Sequence, residues 1–227
     1  MVKINRLITK VNYTKMDNKR NMWIVIHYVG GVSTAKNNAN YFYSVNRQAS
    51  AHYFVDENEI WQVVEDKDAS WHVGGAIKYY NSCRNNNSIG IELCCKKDDN
   101  GNWYFENDTI QNAIELTKML MRKYNIPLIR VCRHYDVTHK ICPEPFVRHD
   151  AQWQEFLKRV EAYNNMADIP ELSLVDKINK IKQVMNIDDN TIQYNKFYKY
   201  GVEYIDKQYK VCVDAEKWRE YIKNGGK

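Results

Sequence analysis

The chain carries six histidines and six cysteines, and three of these twelve side chains sit where a divalent metal could be held. Residues 133–146 read Arg-His-Tyr-Asp-Val-Thr-His-Lys-Ile-Cys-Pro-Glu-Pro-Phe. This segment offers His134 and, eight residues on, Cys142. Imidazole and thiolate both suit Zn2+, and a loop of that length can fold both onto one ion. His27 ends a short apolar run just before Gly30-Gly31, at the kind of strand end where ligands and catalytic groups emerge. Two imidazoles and a thiolate leave the fourth tetrahedral position open, the pattern of a catalytic zinc site. His139 is the rival, either as a fourth ligand that would make the site structural or in place of His134. Glu92 stands in the otherwise apolar run Ser88-Ile89-Gly90-Ile91-Glu92-Leu93-Cys94. A carboxylate there is costly unless it faces a site, which makes Glu92 the candidate general base.

Composition excludes several classes. Apolar residues make up 44% of the 227 and charged residues 27%, so the chain is not disordered throughout. No apolar run approaches the ~18 residues of a membrane helix. The net charge of +5 favours polyanionic surroundings but does not choose between nucleic acid and an anionic envelope. No CxxC appears, Cys94 and Cys95 are adjacent, and the chain is long for a disulfide scaffold, so the cysteines other than Cys142 read as small buried hydrophobes. HExxH is absent, which argues against a zincin, and so is the HxE…PCxxC pattern of deaminases. A nucleic-acid partner has no motif to support it.

The elements that must position these groups follow from periodicity. Residues 22–28, rich in β-branched and aromatic types, read as a buried strand. Helical spacing follows over 34–46. Residues 52–55 and 59–64 form two strands joined by Asp56-Glu57-Asn58 as a hairpin, and 88–94 is another strand. Residues 109–124 carry Ile110, Ala113, Ile114, Thr117, Leu120 and Met121 on one stripe behind a capping Asp108, an amphipathic helix that Pro127 stops. Residues 128–132 read as a strand and 151–163 as a closing helix. Strands interleaved with helices predict an α/β fold, one mixed sheet flanked by helices. The candidate ligands come from strand ends and an adjoining loop, so the cleft should lie along one edge of the sheet face.

Together these motifs resemble the type-2 family of N-acetylmuramoyl-L-alanine amidases, which includes phage endolysins and is related to the peptidoglycan recognition proteins. His134-x-Asp136-x-Thr138-x-Lys140-x-Cys142-Pro143 is similar to the family's zinc loop, and Val25-Ile26-His27 to its first zinc strand. Ser50-Ala51-His52-Tyr53-Phe54-Val55-Asp56, Ser70-Trp71-His72-Val73-Gly74 and Ser88-Ile89-Gly90-Ile91-Glu92-Leu93 match three further segments in the family's order. The resemblance covers roughly residues 1–163. It implies zinc held by His27, His134 and Cys142, with His134 preferred over His139. The implied reaction is hydrolysis of the amide between N-acetylmuramic acid and L-alanine in peptidoglycan. It casts Lys140 as the partner of the developing oxyanion beside the base Glu92. Asp136 should accept a hydrogen bond from the loop or a ligand imidazole, with Thr138 doing the same. His72 should border the substrate groove without binding metal. Tyr53 and His52 must point to opposite faces, and Tyr53 is the one expected at the site. A non-catalytic peptidoglycan-binding module is the alternative. Such relatives commonly lack the Cys ligand, and Cys142 is present here.

Composition shifts after residue 163. Residues 164–170 read as a linker and 171–227 as a small C-terminal α+β domain of about 60 residues, marginal in size for independent folding. A wall-cutting enzyme with no secretory signal in its first twenty residues resembles a phage or prophage endolysin of a Gram-positive host. Synthesis in the cytoplasm, action at the wall once the membrane is permeabilised, and wall binding by the tail are the matching expectations. A bacterial autolysin is the other setting. No stable membrane insertion is expected, and the oligomeric state is not specified.

Overall fold

In the computed structural model, residues 3–17, 21–74 and 82–164 are described. Their elements in chain order are β1 (Ile4–Arg6), β2 (Trp23–Val32), α1 (Ala35–Tyr43), β3 (Tyr53–Val55), β4 (Ile60–Gln62), β5 (Ser88–Lys97), β6 (Trp103–Tyr104), α2 (Asn107–Tyr124), β7 (Val131–Arg133), α3 (His134–Thr138), α4 (Glu144–Arg148) and α5 (Asp150–Asn164). The expected linker and C-terminal domain lie outside the described residues.

Alternation along the strands decides what each face of the sheet holds. In β2, Ile24 and Ile26 point one way, into a core shared with Ile89, Ile91 and Leu93 of β5 and Tyr53 and Val55 of β3. That core is closed by Ala113, Ile114, Leu116 and Leu120 of α2, Phe146 of α4, and Trp153, Phe156 and Val160 of α5. Burying each large aliphatic or aromatic side chain stabilises the fold by about 1.5–3 kcal/mol, so this face anchors the sheet. Trp23 and Val25 point the other way, against Val73, Cys83, Cys132 and Val137. His27 follows in the same parity. Beside them Ala35 and Ala39 of α1 cover Phe54 and Cys94.

The strand order is β1-β4-β3-β5-β2-β7, with β6 pairing on β5. The β3–β4 hairpin is antiparallel, whereas β3–β5, β5–β2 and β2–β7 are parallel. The sheet is therefore mixed and flanked by helices, as the interleaved periodicity predicts. Three local expectations differ. Asp108 lies in the first turn of α2, whose N-cap is Glu106 with no side-chain cap bond. Leu128–Arg130 is a 3-10 turn, so the strand expected over 128–132 reduces to β7. Helix α1 ends at Tyr43 rather than 46, with Thr34 capping it by accepting from the Asn37 N–H. None of the described helices is long and apolar enough to cross a membrane.

Candidate metal centre

His27 is the last fully buried residue of β2, on the face away from α2. The β2–β7 ladder runs in register to Ile26 opposite Arg133, so the next residues, His27 and His134, emerge side by side. Their ring centroids are 4.7 Å apart at 65°. Helix α3 starts at His134, and a left-handed His139 (φ 58°) turns the chain after it. The turn is closed by the Tyr135 N–H donating to the Cys142 carbonyl at 2.8 Å. That returns the Cys142 thiol to within 3.7 Å of His27 Nδ1. One donor atom each from His27, His134 and Cys142 lies within 4.8 Å of the others, and all three residues are buried. The three could hold a metal ion. His139, the rival ligand, is exposed and stacks on Tyr135 instead.

Glu92 sits opposite His27 in the β2–β5 register, so its side chain rises from the same face. Its Oε2 is buried and, among the described residues, has no hydrogen-bond partner. Burial pushes its carboxyl up to about 8, and the exposed Lys140 cation pulls the other way. Burial, with the nearby Glu92 charge, likewise pushes the Cys142 thiol up to about 12, while the Tyr28 backbone N–H and Lys140 oppose it. His27 is held well below its ordinary 6.5 by burial, then by the charges of His134, His72 and Lys140. The result is a desolvated set of donors that gains from a cation in its midst.

These shifts have a sign that can be measured. In metal-free protein the folded state holds the Glu92 proton more tightly than the unfolded chain does. The stability this group confers is complete below its ordinary value of 4.5 and is lost as pH rises through about 8. His27 acts oppositely, losing stability as pH falls below 6.5. Thermal midpoints of metal-free wild type and Glu92→Gln, compared across this range, isolate the carboxyl. The wild type is expected to fall relative to the variant between about pH 4.5 and pH 8. A difference that stays constant with pH would show that Glu92 is not desolvated.

The other candidate residues are placed as follows. Tyr53 is on the opposite face from the three donors. The β3–β5 register aligns it with Ile91, and its hydroxyl donates to buried Asp66 at 2.6 Å. The expectation of Tyr53 at the site is therefore corrected. His52, of the other parity, faces the donors' side. Its Nδ1 accepts from the Gly90 N–H at 3.0 Å and bonds the Ser70 hydroxyl at 2.7 Å. His72, expected to border the groove, packs against the donors. It is buried, with Nδ1 3.0 Å from His27 Nε2 and Nε2 3.0 Å from the Ser88 hydroxyl. Asp136 bonds Arg133, the last residue of β7. Its carboxylate accepts from the Arg133 backbone N–H at 2.8 Å and pairs with the Arg133 guanidinium at 2.9 Å. Arg133 reaches on to Asp150, which ties α3 to α5. Thr138 bridges the same loop, donating to the His134 carbonyl and accepting from the Lys140 N–H, both at 3.4 Å.

Sequence reasoning passed over Ser88 and Gly90. A glycine inside an apolar strand is a signal of close approach by another group. Here a Cβ at Gly90 would lie 2.6 Å from the His72 ring.

Comparison with known proteins is consistent with this geometry. Residues 17–145 match the family described as N-acetylmuramoyl-L-alanine amidase. The chain is 35% identical over 175 residues to the N-acetylmuramoyl-L-alanine amidase CwlL of Bacillus licheniformis, covering 71% of this chain and 48% of that one. It is 36% identical over 148 residues to a probable N-acetylmuramoyl-L-alanine amidase of the same organism, covering 61% and 41%. It thus spans less than half the length of these two relatives. Among solved structures, a mutant endolysin from Bacillus subtilis superposes with a TM-score of 0.58 at 27% identity, covering 70% of this chain and 99% of that one.

Proposed function

We propose that this chain, which belongs to the N-acetylmuramoyl-L-alanine amidase family, hydrolyses the amide between N-acetylmuramic acid and L-alanine in peptidoglycan with the help of zinc. The observation that carries the reading is the convergence of one ligand atom each from His27, His134 and Cys142, within 4.8 Å of one another, beside a Glu92 carboxylate oxygen that has no partner among the described residues.

The donor set fits zinc. With Zn–N of ~2.0–2.1 Å and Zn–S of ~2.3 Å, tetrahedral angles separate the two ligand atoms by roughly 3.6 Å. His27 Nδ1 and Cys142 Sγ are 3.7 Å apart. A thiol that burial holds protonated up to about 12 becomes a thiolate only beside a cation. Bound there, zinc would supply Lewis acidity, polarising the amide carbonyl and acidifying water. The protein does the rest. Glu92 takes a proton from the attacking water and gives it to the departing amine, a role that suits a carboxyl raised towards neutrality. Lys140, exposed and with its charge felt at Glu92 and Cys142, stabilises the oxyanion. Cys142 favours hydrolysis over binding alone.

Purified cell walls treated with the protein should release new free amino termini, and a chelator should stop the release. Walls that bind the protein without releasing amines would support the binding-module reading instead.

The likeness to an endolysin supports a lytic role in a phage or prophage of a Gram-positive host, with synthesis in the cytoplasm and action at the wall once the membrane is opened. A bacterial autolysin is the other setting for the same chemistry. In this reading residues 171–227 bind a wall polymer. Deleting 168–227 should leave zinc content and hydrolysis of purified walls intact and lower lysis of whole cells by about tenfold or more. Undiminished lysis would remove wall binding from the tail.

A further inference from the structure

Four buried imidazoles cross the sheet in a row: His52, His72, His27 and His134. Successive centroids are 5.8, 5.1 and 4.7 Å apart, each pair edge to face. At His72, the link that touches His27, the hydrogen bonds have a readable direction. The Ser88 hydroxyl has a single hydrogen and gives it to the Arg84 carbonyl at 2.6 Å. Ser88 Oγ can therefore only accept from His72 Nε2, at 3.0 Å. A neutral ring with hydrogen on Nε2 has a lone pair on Nδ1. That lone pair faces His27 Nε2 at 3.0 Å, so His27 carries its own hydrogen on Nε2. His27 Nδ1 is then bare on the side of the Cys142 thiol.

We propose that His72 is a positioning residue that selects the Nε2–H tautomer of His27, so that His27 offers Nδ1 to the metal. This rests on the reading of His27 as a ligand. The ring is clamped for the purpose. The His72 and Val73 N–H groups both donate to Asn85 Oδ1, at 3.2 and 2.8 Å. Beneath the ring Gly90 leaves room that a side chain would take. The opposite tautomer of His27 would aim a hydrogen at Cys142 and leave two lone pairs facing each other across the contact with His72.

The test uses the full chain in two states. In zinc-free protein, long-range 1H–15N correlations of the histidine rings report the His27 tautomer. Zinc affinity is then measured by competition with a chromophoric chelator. Wild type should show the Nε2–H tautomer and bind zinc. His72→Phe keeps the ring's bulk and removes the acceptor. It should show mixed His27 tautomers and bind zinc roughly 10–100-fold more weakly. His72→Asn loses bulk but places a carbonyl oxygen near the old Nδ1, and should restore the tautomer and most of the affinity. A packing role predicts the reverse order, with Phe close to wild type and Asn weak, and that order overturns the proposal. Gly90→Ala displaces the ring and should resemble His72→Phe; it decides the question if the Phe variant does not fold. The two ways of failing are separable. Wild type that binds no zinc overturns the metal-centre reading. Wild type that binds zinc, with tautomer and affinity unchanged in His72→Phe, overturns the role of His72 alone.

Discussion

Cys142→Ser is expected to lose zinc, to lose about a thousandfold or more of its hydrolysis of purified walls, and to remain folded. The fold should survive because the exchange is nearly isosteric at a fully enclosed position. A serine oxygen can also accept from the Tyr28 backbone N–H, as the sulfur does. The metal should be lost because a serine hydroxyl does not ionise near neutrality. It therefore offers a weak neutral donor where the proposed centre needs a thiolate. The size follows from the several kcal/mol that a bound Lewis acid would contribute to the transition state, each ~1.4 kcal/mol being a factor of ten. Metal analysis, circular dichroism and amine release on the same preparation separate the three expectations. A folded variant with full zinc content would remove Cys142 from the ligand set.

Glu92→Gln is expected to do the converse: to keep zinc and lose about 10²–10⁴ of the turnover. An amide of nearly the same shape fills the same space opposite His27 but cannot take a proton from water. None of the three candidate ligand side chains is altered, so zinc affinity should stay near the wild-type value. The pH profile adds a second readout. If Glu92 supplies the acidic limb of wild-type activity, the residual activity of the variant should lack that limb. Turnover at the wild-type rate would place the base elsewhere. Loss of both zinc and turnover would show that the carboxylate supports the metal rather than the proton transfer.

Local chemistry made much of this legible. The apolar run of β2 and the strand-prone runs of β3 and β4 are short buried segments bounded by turn residues, and the stripe of α2 buries one face at helical period, so their types could be read without the fold. The short elements could not be read so. Helices α3 and α4 have five residues each and carry no full amphipathic stripe, so tertiary contacts around Cys142 and Phe146 determine them. Asp136 is a similar case. Its type and place in the loop marked it as an acceptor, but the partner is Arg133, which the turn brings back onto it.

The sequence by itself determined the chemical types at the centre: two imidazoles, a thiol, a carboxylate in an apolar strand and a lysine in the loop. Those are properties of side chains, and no fold can change them. Tertiary structure decided which histidine faces the centre and which atom it presents. Whether His52 or Tyr53 turns towards it depends on the pairing of β3 with β5, where a shift of one residue exchanges the two faces. Which nitrogen of His27 is bare depends on a relay through His72 and Ser88, 45 and 61 positions away along the chain. Pairing register and hydrogen-bond direction are relations between distant segments, so they exist only once the chain has closed on itself.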